Sequence, residues 1–316
     1  MSAADGAWRD FVGHAAGGHD FVEEYLAEPA PVPTGTKPVD EVLGGGLYAG
    51  LNVVAGEPGS FKTGTCVWWF YEQAVAGRRP VYLSLEMPYR NVVMRMVSIA
   101  TVRDRSLETV RWGSARRMGY APLDAANDRD AAYRAAMAYE RDNRDADPVL
   151  VGYRAMLAEV GGRCAVVDQP WAHDLGKVCD AIGGLAEDGW VGPVYVDYMS
   201  LLEVGDGTLS DFDRMTRVSR ELARVARTWR IPIVAIYSLK KLTAREREGG
   251  PSLSWLRGTG SIGYDAETAT ILAPCGEEDD RGVVPMRAHV VKNRHGECRD
   301  VDYAAQRWSG WVGEIG

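Results

Sequence analysis

A glycine-rich turn between an apolar strand and a helix limits most strongly what this chain can fold into. The apolar run 51–55 precedes the turn, and the largely apolar run 65–71 follows it. Backbone N–H groups of such a turn wrap phosphates, and the helix N-terminus adds positive partial charge. The stretch therefore predicts a phosphate-binding loop, in which Lys62 reaches the β- and γ-phosphates and the Thr63 hydroxyl binds Mg²⁺. The residues predicted to surround the phosphates are Gly56, Glu57, Pro58, Gly59, Ser60, Phe61, Lys62, Thr63 and Gly64.

One position departs from the usual pattern of such loops. The pattern G-x-x-x-x-G-K-[ST] has glycine where this chain has Phe61. Glycine lets the backbone approach a phosphate without a side chain in the way. The ring of Phe61 must therefore point out of the loop, or phosphate binding is weakened.

Composition excludes several classes of protein. The chain has 316 residues, is 46% hydrophobic and 25% charged, and contains no apolar run near the ~18 residues of a membrane span. The five scattered cysteines and the absence of a secretion signal predict a cytoplasmic protein with reduced thiols and no membrane contact. No Cys/His spacing suggests zinc. The net charge of −8 argues against a protein coated in nucleic acid but leaves room for a local basic channel.

From residue 34 onward, short β-branched runs alternate with helical stretches. Strands are predicted at 51–55, 80–85, 164–167, 194–198, 232–237, 269–273 and 287–291. Most of these runs are continuously apolar, as in strands that are covered on both faces. The alternation predicts an α/β fold with a doubly wound, mainly parallel sheet and helices on both faces.

Helical patterns complete this prediction. The clearest helix is 214–230, where an arginine stripe forms either a solvated face or a DNA contact. Residues 104–150 interrupt the alternation and are predicted to be a helical insertion on the surface. Residues 1–33 are predicted to be an N-terminal arm or linker, because three prolines break a short apolar helix there.

Carboxylates follow two of the predicted strands. Glu86 ends the second strand, where it could orient the water that attacks a γ-phosphate. Asp197 ends the strand 194–198 and is the predicted Mg²⁺ ligand. Asp168 follows the strand 164–167 in the same way, so it is the rival for the metal-binding role.

These motifs, in this order, resemble the C-terminal ATPase domain of the DnaB-type replicative DNA helicases. The resemblance covers about 34–311 and rests on the phosphate loop, on 84–87 (Ser-Leu-Glu-Met), on 197–202 and on 253–266 and 290–296. It implies a RecA-like P-loop NTPase fold for 34–316. It also implies Mg²⁺-dependent ATP hydrolysis at the interfaces of a homo-oligomeric ring, expected to be a hexamer, that moves 5′-to-3′ on single-stranded DNA during replication.

The resemblance also implies roles for individual residues. Lys62 and Glu86 would act in one subunit, while Lys292 and Arg294 would reach the γ-phosphate held by the next subunit. Ser238 stands where the family usually has a γ-phosphate-sensing glutamine, and its hydroxyl reaches less far. Five basic residues would hold DNA phosphates or else lie in solvated loops: Lys240, Lys241, Arg245, Arg247 and Arg257.

Two other functions are compatible with this sequence. One is a RecA-like or KaiC-like ATPase that regulates or recombines without unwinding DNA. The other is a degenerate nucleotide-binding scaffold, which Phe61 and Ser238 would favour. Because the family's large N-terminal domain is absent, primase binding is in doubt; a loader protein is a further candidate partner.

Overall fold

The structure, a computed structural model, describes residues 26–113, 129–205, 207–240, 248–256 and 262–315, and of 129–132 the backbone alone. Most of the predicted N-terminal arm lies outside these residues. The fold described below belongs to the compact unit Pro31–Gly316.

Within the described residues, the strands form one nine-stranded sheet in the order β3-β2-β4-β5-β1-β6-β7-β8-β9. The strands β3, β2, β4, β5, β1 and β6 run parallel, and β7, β8 and β9 continue the sheet in antiparallel pairs. The bounds are Gly50–Gly56 (β1), Val81–Ser84 (β2), Ala165–Val167 (β3), Val194–Asp197 (β4), Pro232–Ser238 (β5), Thr268–Pro274 (β6), Val283–Asn293 (β7), Asp300–Gln306 (β8) and Trp311–Gly313 (β9).

Helices connect the strands. Their bounds are Lys37–Val42 (α1), Lys62–Val75 (α2), Tyr89–Arg103 (α3), Arg129–Asn143 (α4), Pro148–Val160 (α5), Leu175–Glu187 (α6), Asp211–Thr228 (α7) and Ile262–Asp265 (α8). Short 3₁₀ turns lie at Pro170–His173, Met199–Leu201 and Leu253–Leu256. No helix among the described residues combines the length and the apolar character that a membrane crossing requires.

Two apolar clusters cover the two faces of the sheet. One cluster joins side chains of α2, α3 and α5, such as Trp69, to the strand residues Val54 and Tyr82. The other joins side chains of α6 and α7, such as Leu222, to Val53. Neighbouring residues of β1 thus point into different clusters, as the two-residue period of a strand requires. The predicted doubly wound sheet with helices on both faces is confirmed.

The sequence located the parallel strands within one or two residues but shortened or missed the antiparallel ones. The strand predicted at 287–291 is the middle of β7, and β8 and β9 were not predicted. In β7 and β8, buried and more exposed residues largely alternate, so neither strand forms the continuous apolar run that marks a strand covered on both faces.

The helix predicted at 214–230 is α7, which begins three residues earlier because the Ser210 side chain accepts a bond from the Asp213 backbone N–H. The arginine stripe of α7 is exposed to solvent: Arg217, Arg220, Arg224 and Arg227.

Candidate nucleotide site

Four predicted site segments meet at one edge of the sheet. Because β1, β2, β4 and β5 are parallel, their carboxyl ends lie at the same edge. Gly56, the first residue of the phosphate loop, is in register with Ser238, and Ser84 is in register with Asp197. Glu86 follows two residues after Ser84. The side chain of Ser238 is half-buried beside the loop.

Lys62 is the first residue of α2 and is 3% exposed. Its Nζ donates a hydrogen bond to the backbone carbonyl of Glu57 at 2.9 Å, so the ammonium group lies across the loop. Burial lowers the pKa of Lys62, and the charge of Asp197 is the largest opposing influence. A triphosphate would supply this buried ammonium with stronger, charged acceptors.

Phe61 adopts the backbone conformation that its pattern position reserves for glycine. Its φ of 61° and ψ of 22° are left-handed, immediately before α2 begins. The ring packs over Gly64: a Cβ added to Gly64 would lie 2.2 Å from Phe61 Cε2. Phe61 also packs against the apolar cluster of α2, α3 and α5. The ring thus lies against the first turn of the helix, in space that Gly64 leaves free.

Thr63 and Asp197 lie together as a metal site requires. The Thr63 hydroxyl donates to Asp197 Oδ1 at 3.5 Å, and the Tyr82 hydroxyl donates to Asp197 Oδ2 at 2.6 Å. Asp197 is 1% exposed, and burial raises its pKa to about 6 against the opposing bond from Tyr82. A hydroxyl and a carboxylate are ligands that Mg²⁺ prefers.

These two residues would hold Mg²⁺ together with phosphate oxygens and water. In the described part of the chain, no group of three or more His, Cys, Asp or Glu side chains could hold a metal ion. The rival carboxylate, Asp168, instead accepts a hydrogen bond from the Tyr89 backbone N–H at 2.8 Å, where α3 begins.

Glu86 is exposed, and its backbone is tied to the strand that carries Asp197. The backbone N–H groups of Leu85 and Glu86 both donate to the Asp197 carbonyl, at 2.8 and 3.3 Å. The charge of Glu86 also raises the pKa of Lys62, which places its carboxylate within electrostatic range of the loop.

A pocket of about 310 Å³ opens beside the loop. Loop residues from Gly59 to Gly64 line one side of it. The other side has three residues that the sequence did not point to, namely Arg95, Trp112 and Arg307. Arg95 was detectable in principle, since it is a lone cation within the apolar face of α3; burial lowers its pKa. For Trp112 and Arg307, 195 residues apart, the sequence carries no signal.

Lys292 and Arg294 lie at the other edge of the sheet. Asn293 pairs with Thr268, which pairs with Asn52, so about 13 Å of β1 separates this level from Gly56. Lys292 Nζ and Arg294 Nη2 both donate to the Tyr264 carbonyl, at 3.0 and 2.8 Å. Arg294 Nη1 is also 3.7 Å from Glu267 Oε1.

The predicted DNA-binding residues are described only in part. Lys240 is exposed and follows β5 at the phosphate-loop edge. The remaining four, Lys241, Arg245, Arg247 and Arg257, lie outside the described residues.

Comparison with protein families gives two matches. Residues 144–308 match the family model described as the DnaB-like helicase C-terminal domain. Residues 32–108 match an ATPase family described as KaiC.

Individual relatives agree with the first match. The replicative DNA helicase DnaB of Leifsonia xyli subsp. xyli (strain CTCB07) is 26% identical over 280 residues, which is 87% of this chain and 54% of the relative. A probable plasmid replicative DNA helicase of Chlamydia psittaci is 22% identical over 270 residues, 84% of this chain and 51% of the relative. The chain thus spans about half the length of the curated relatives it matches.

Solved structures show the same fold. An isolated ATPase domain aligns over all of both chains with a TM-score of 0.69 and 17% identity. A DnaB-like replicative helicase, studied with its primase interactions, aligns over 94% of this chain and 65% of its own, also with a TM-score of 0.69 and 17% identity.

Proposed function

The chain belongs to the DnaB-like helicase C-terminal domain family, and from this premise we propose that it is an ATP-driven motor that moves on single-stranded DNA. ATP would bind at the phosphate loop with Mg²⁺ and be hydrolysed between neighbouring copies of the chain in a ring. The chain would thereby supply the unwinding motor of a replicative helicase.

One observation carries this proposal: the predicted site is divided between two edges of the sheet. The groups that hold phosphate, metal and water lie at the carboxyl ends of the parallel strands. The cationic pair Lys292 and Arg294 lies at the opposite edge, bound to the Tyr264 carbonyl. A site with this division is complete only where two copies meet, as in a ring of motor subunits.

Within one copy, the residues bind and orient the substrate. Lys62 would exchange the Glu57 carbonyl for the β- and γ-phosphates, and backbone N–H groups at the start of α2 would complete the cradle. Thr63 and Asp197 would hold Mg²⁺, which when bound neutralises charge on the β- and γ-phosphate oxygens. Glu86 would orient the attacking water, since its carboxylate is exposed beside the loop.

From the neighbouring copy, Arg294 and Lys292 would stabilise the charge of the transition state. Guanidinium groups suit this role because their planar donors match phosphate oxygens. An arginine supplied in trans accelerates related hydrolyses by ~10³–10⁵. Half of the side chain of Arg294 is exposed in the single chain (47%), so it can reach a partner.

ATP turnover with and without single-stranded DNA tests the proposal. The wild type should hydrolyse ATP and be stimulated by DNA, whereas Lys62→Ala should lose nucleotide binding. Lys177→Ala removes an exposed lysine of α6 and is the matched control. Hydrolysis without DNA stimulation would support a regulatory ATPase of the KaiC type instead. An absence of turnover would support a nucleotide-binding scaffold.

A further inference from the structure

Trp112 forms a wall of the phosphate pocket on the side away from the loop. The pocket is continuous from Lys62 and Thr63 to Trp112, Arg307 and Gly310. Its volume of about 310 Å³ is in the range of small-molecule sites, ~300–1,000 Å³. A triphosphate at the loop would fill only part of this space.

Three contacts fix the orientation of the Trp112 indole. Its Nε1 donates to the Arg307 carbonyl at 2.8 Å, and its backbone N–H donates to the Trp308 carbonyl at 3.2 Å. The guanidinium carbon of Arg95 lies 4.3 Å from the ring centroid. Because the polar atom of the indole is already bonded, the ring offers the pocket an apolar aromatic surface held in place before any ligand arrives.

The other aromatic residues that line the pocket are engaged elsewhere. The Phe61 ring covers Gly64 and packs against the apolar cluster. The Tyr198 hydroxyl lies 3.5 Å from Thr63 Oγ1, at the metal end of the site. Of the aromatic residues at this pocket, Trp112 is thus the one placed beyond the phosphates, where the rest of a nucleotide would extend.

We propose that Trp112 is the platform on which the base of the bound nucleoside triphosphate stacks. This inference rests on the proposed function, since it takes the triphosphate to lie at Lys62 and Thr63. Arg95 holds the indole, and the exposed guanidinium of Arg307 lies at the same wall, where it can donate to acceptors on the base.

A platform of this kind distinguishes bases weakly. Stacking depends on the π-face that every base has, and the indole N–H is already bonded to Arg307 and cannot read a base edge. ATP and GTP should therefore bind within a few-fold of each other, and inorganic tripolyphosphate should bind less tightly than either.

Titration of Trp112 variants with ATP and with tripolyphosphate tests the platform. Trp112→Leu keeps apolar volume and removes the ring, so ATP affinity should fall about tenfold while tripolyphosphate affinity stays unchanged. Trp112→Phe should retain most of the ATP affinity. Trp308→Leu is the matched control, because this nearby tryptophan also stacks on an arginine, Arg111, but does not line the pocket.

Two outcomes would overturn the inference. Trp112→Leu might bind ATP as tightly as the wild type, which would place the base elsewhere. Equal losses of ATP and tripolyphosphate affinity would show that Trp112 only supports the loop. Failure of the proposed function gives a different pattern: Lys62→Ala would leave the affinities for both ligands unchanged, whatever Trp112→Leu does.

Discussion

The two edges of the sheet differ in how they hold their charged groups. At the phosphate-loop edge, Lys62 is 3% exposed and Asp197 is 1% exposed, and each is bonded within the chain. At the opposite edge, the side chain of Arg294 is 47% exposed and is held by a backbone carbonyl and a 3.7 Å ion pair. The first edge is fixed by the fold, and the second is open to exchange.

This difference indicates how a shared site can be built. Desolvated charges are costly to bury unless they are paired, so the fold must complete the phosphate-loop edge by itself. Exposed ion pairs contribute little, ~0–1 kcal/mol. Lys292 and Arg294 can therefore leave Tyr264 for the phosphates of another copy at small cost.

Loss of the exposed cation should have the largest effect on turnover. Arg294→Ala should lower ATP hydrolysis by ~10³-fold or more, with ATP affinity nearly unchanged, because the guanidinium acts in the transition state of a neighbouring site. Steady-state hydrolysis and nucleotide titration measure the two quantities. Arg299→Ala removes an exposed arginine of the same β7–β8 turn and should have no such effect.

Mixing inactive variants tests whether the two edges belong to different copies. Arg294→Ala and Glu86→Gln should each be inactive alone. In mixed rings, some interfaces pair an intact Glu86 with an intact Arg294, so part of the activity should return. Normal hydrolysis by Arg294→Ala, or full activity of a strictly monomeric protein, would remove the contrast between the edges.

Glu86→Gln should reduce turnover somewhat less, by ~10²–10⁴-fold, because it removes the carboxylate that orients water. ATP affinity should be retained, since the phosphate contacts remain. Single-turnover hydrolysis after a binding measurement separates the two effects. Asp168→Asn is the control, and a loss of turnover in this variant equal to that of Glu86→Gln would return Asp168 to the site.

The sequence predicted the buried edge in more detail than the open one. The phosphate loop, Glu86 and Asp197 are encoded locally, each by a short apolar strand followed by a polar residue. By contrast, β8 and β9 alternate too weakly to be recognised, and the contact of Trp112 with Arg307 depends on how distant segments pack. The bond of Arg294 to Tyr264 likewise has no local pattern. The roles of these residues remain predictions, whereas the sheet and its helices are confirmed.

Asp197→Asn should show what the buried edge costs without nucleotide. Burial raises the pKa of Asp197 from 3.8 to about 6, so the folded chain binds its proton more tightly than the unfolded chain does. Stability should therefore fall as pH rises from about 4 to about 6 and stay lower above that range. The shift corresponds to about 3 kcal/mol, and Asp197→Asn should recover part of it at pH 7.

Urea unfolding of the nucleotide-free protein between pH 4 and pH 8 measures this effect. The slope of stability against pH should be shallower in Asp197→Asn but not absent, because burial also raises the pKa of Asp40 to about 6. Arg294→Ala should leave the slope unchanged, as expected for the open edge. An equal slope in wild type and Asp197→Asn would mean that Asp197 is ionised throughout.

The smallest expected effect concerns the packing of Phe61 on Gly64. Gly64→Ala would place a methyl group 2.2 Å from Phe61 Cε2, so the ring would have to move, at a cost of ~1–3 kcal/mol. In a Phe61→Gly background, the same change should be nearly neutral, because glycine tolerates the φ of 61° and has no ring to displace. The double-mutant cycle measures this coupling by urea unfolding. Additive effects would show that the ring does not need the space above Gly64, and the chain's tolerance of Phe61 would then require another explanation.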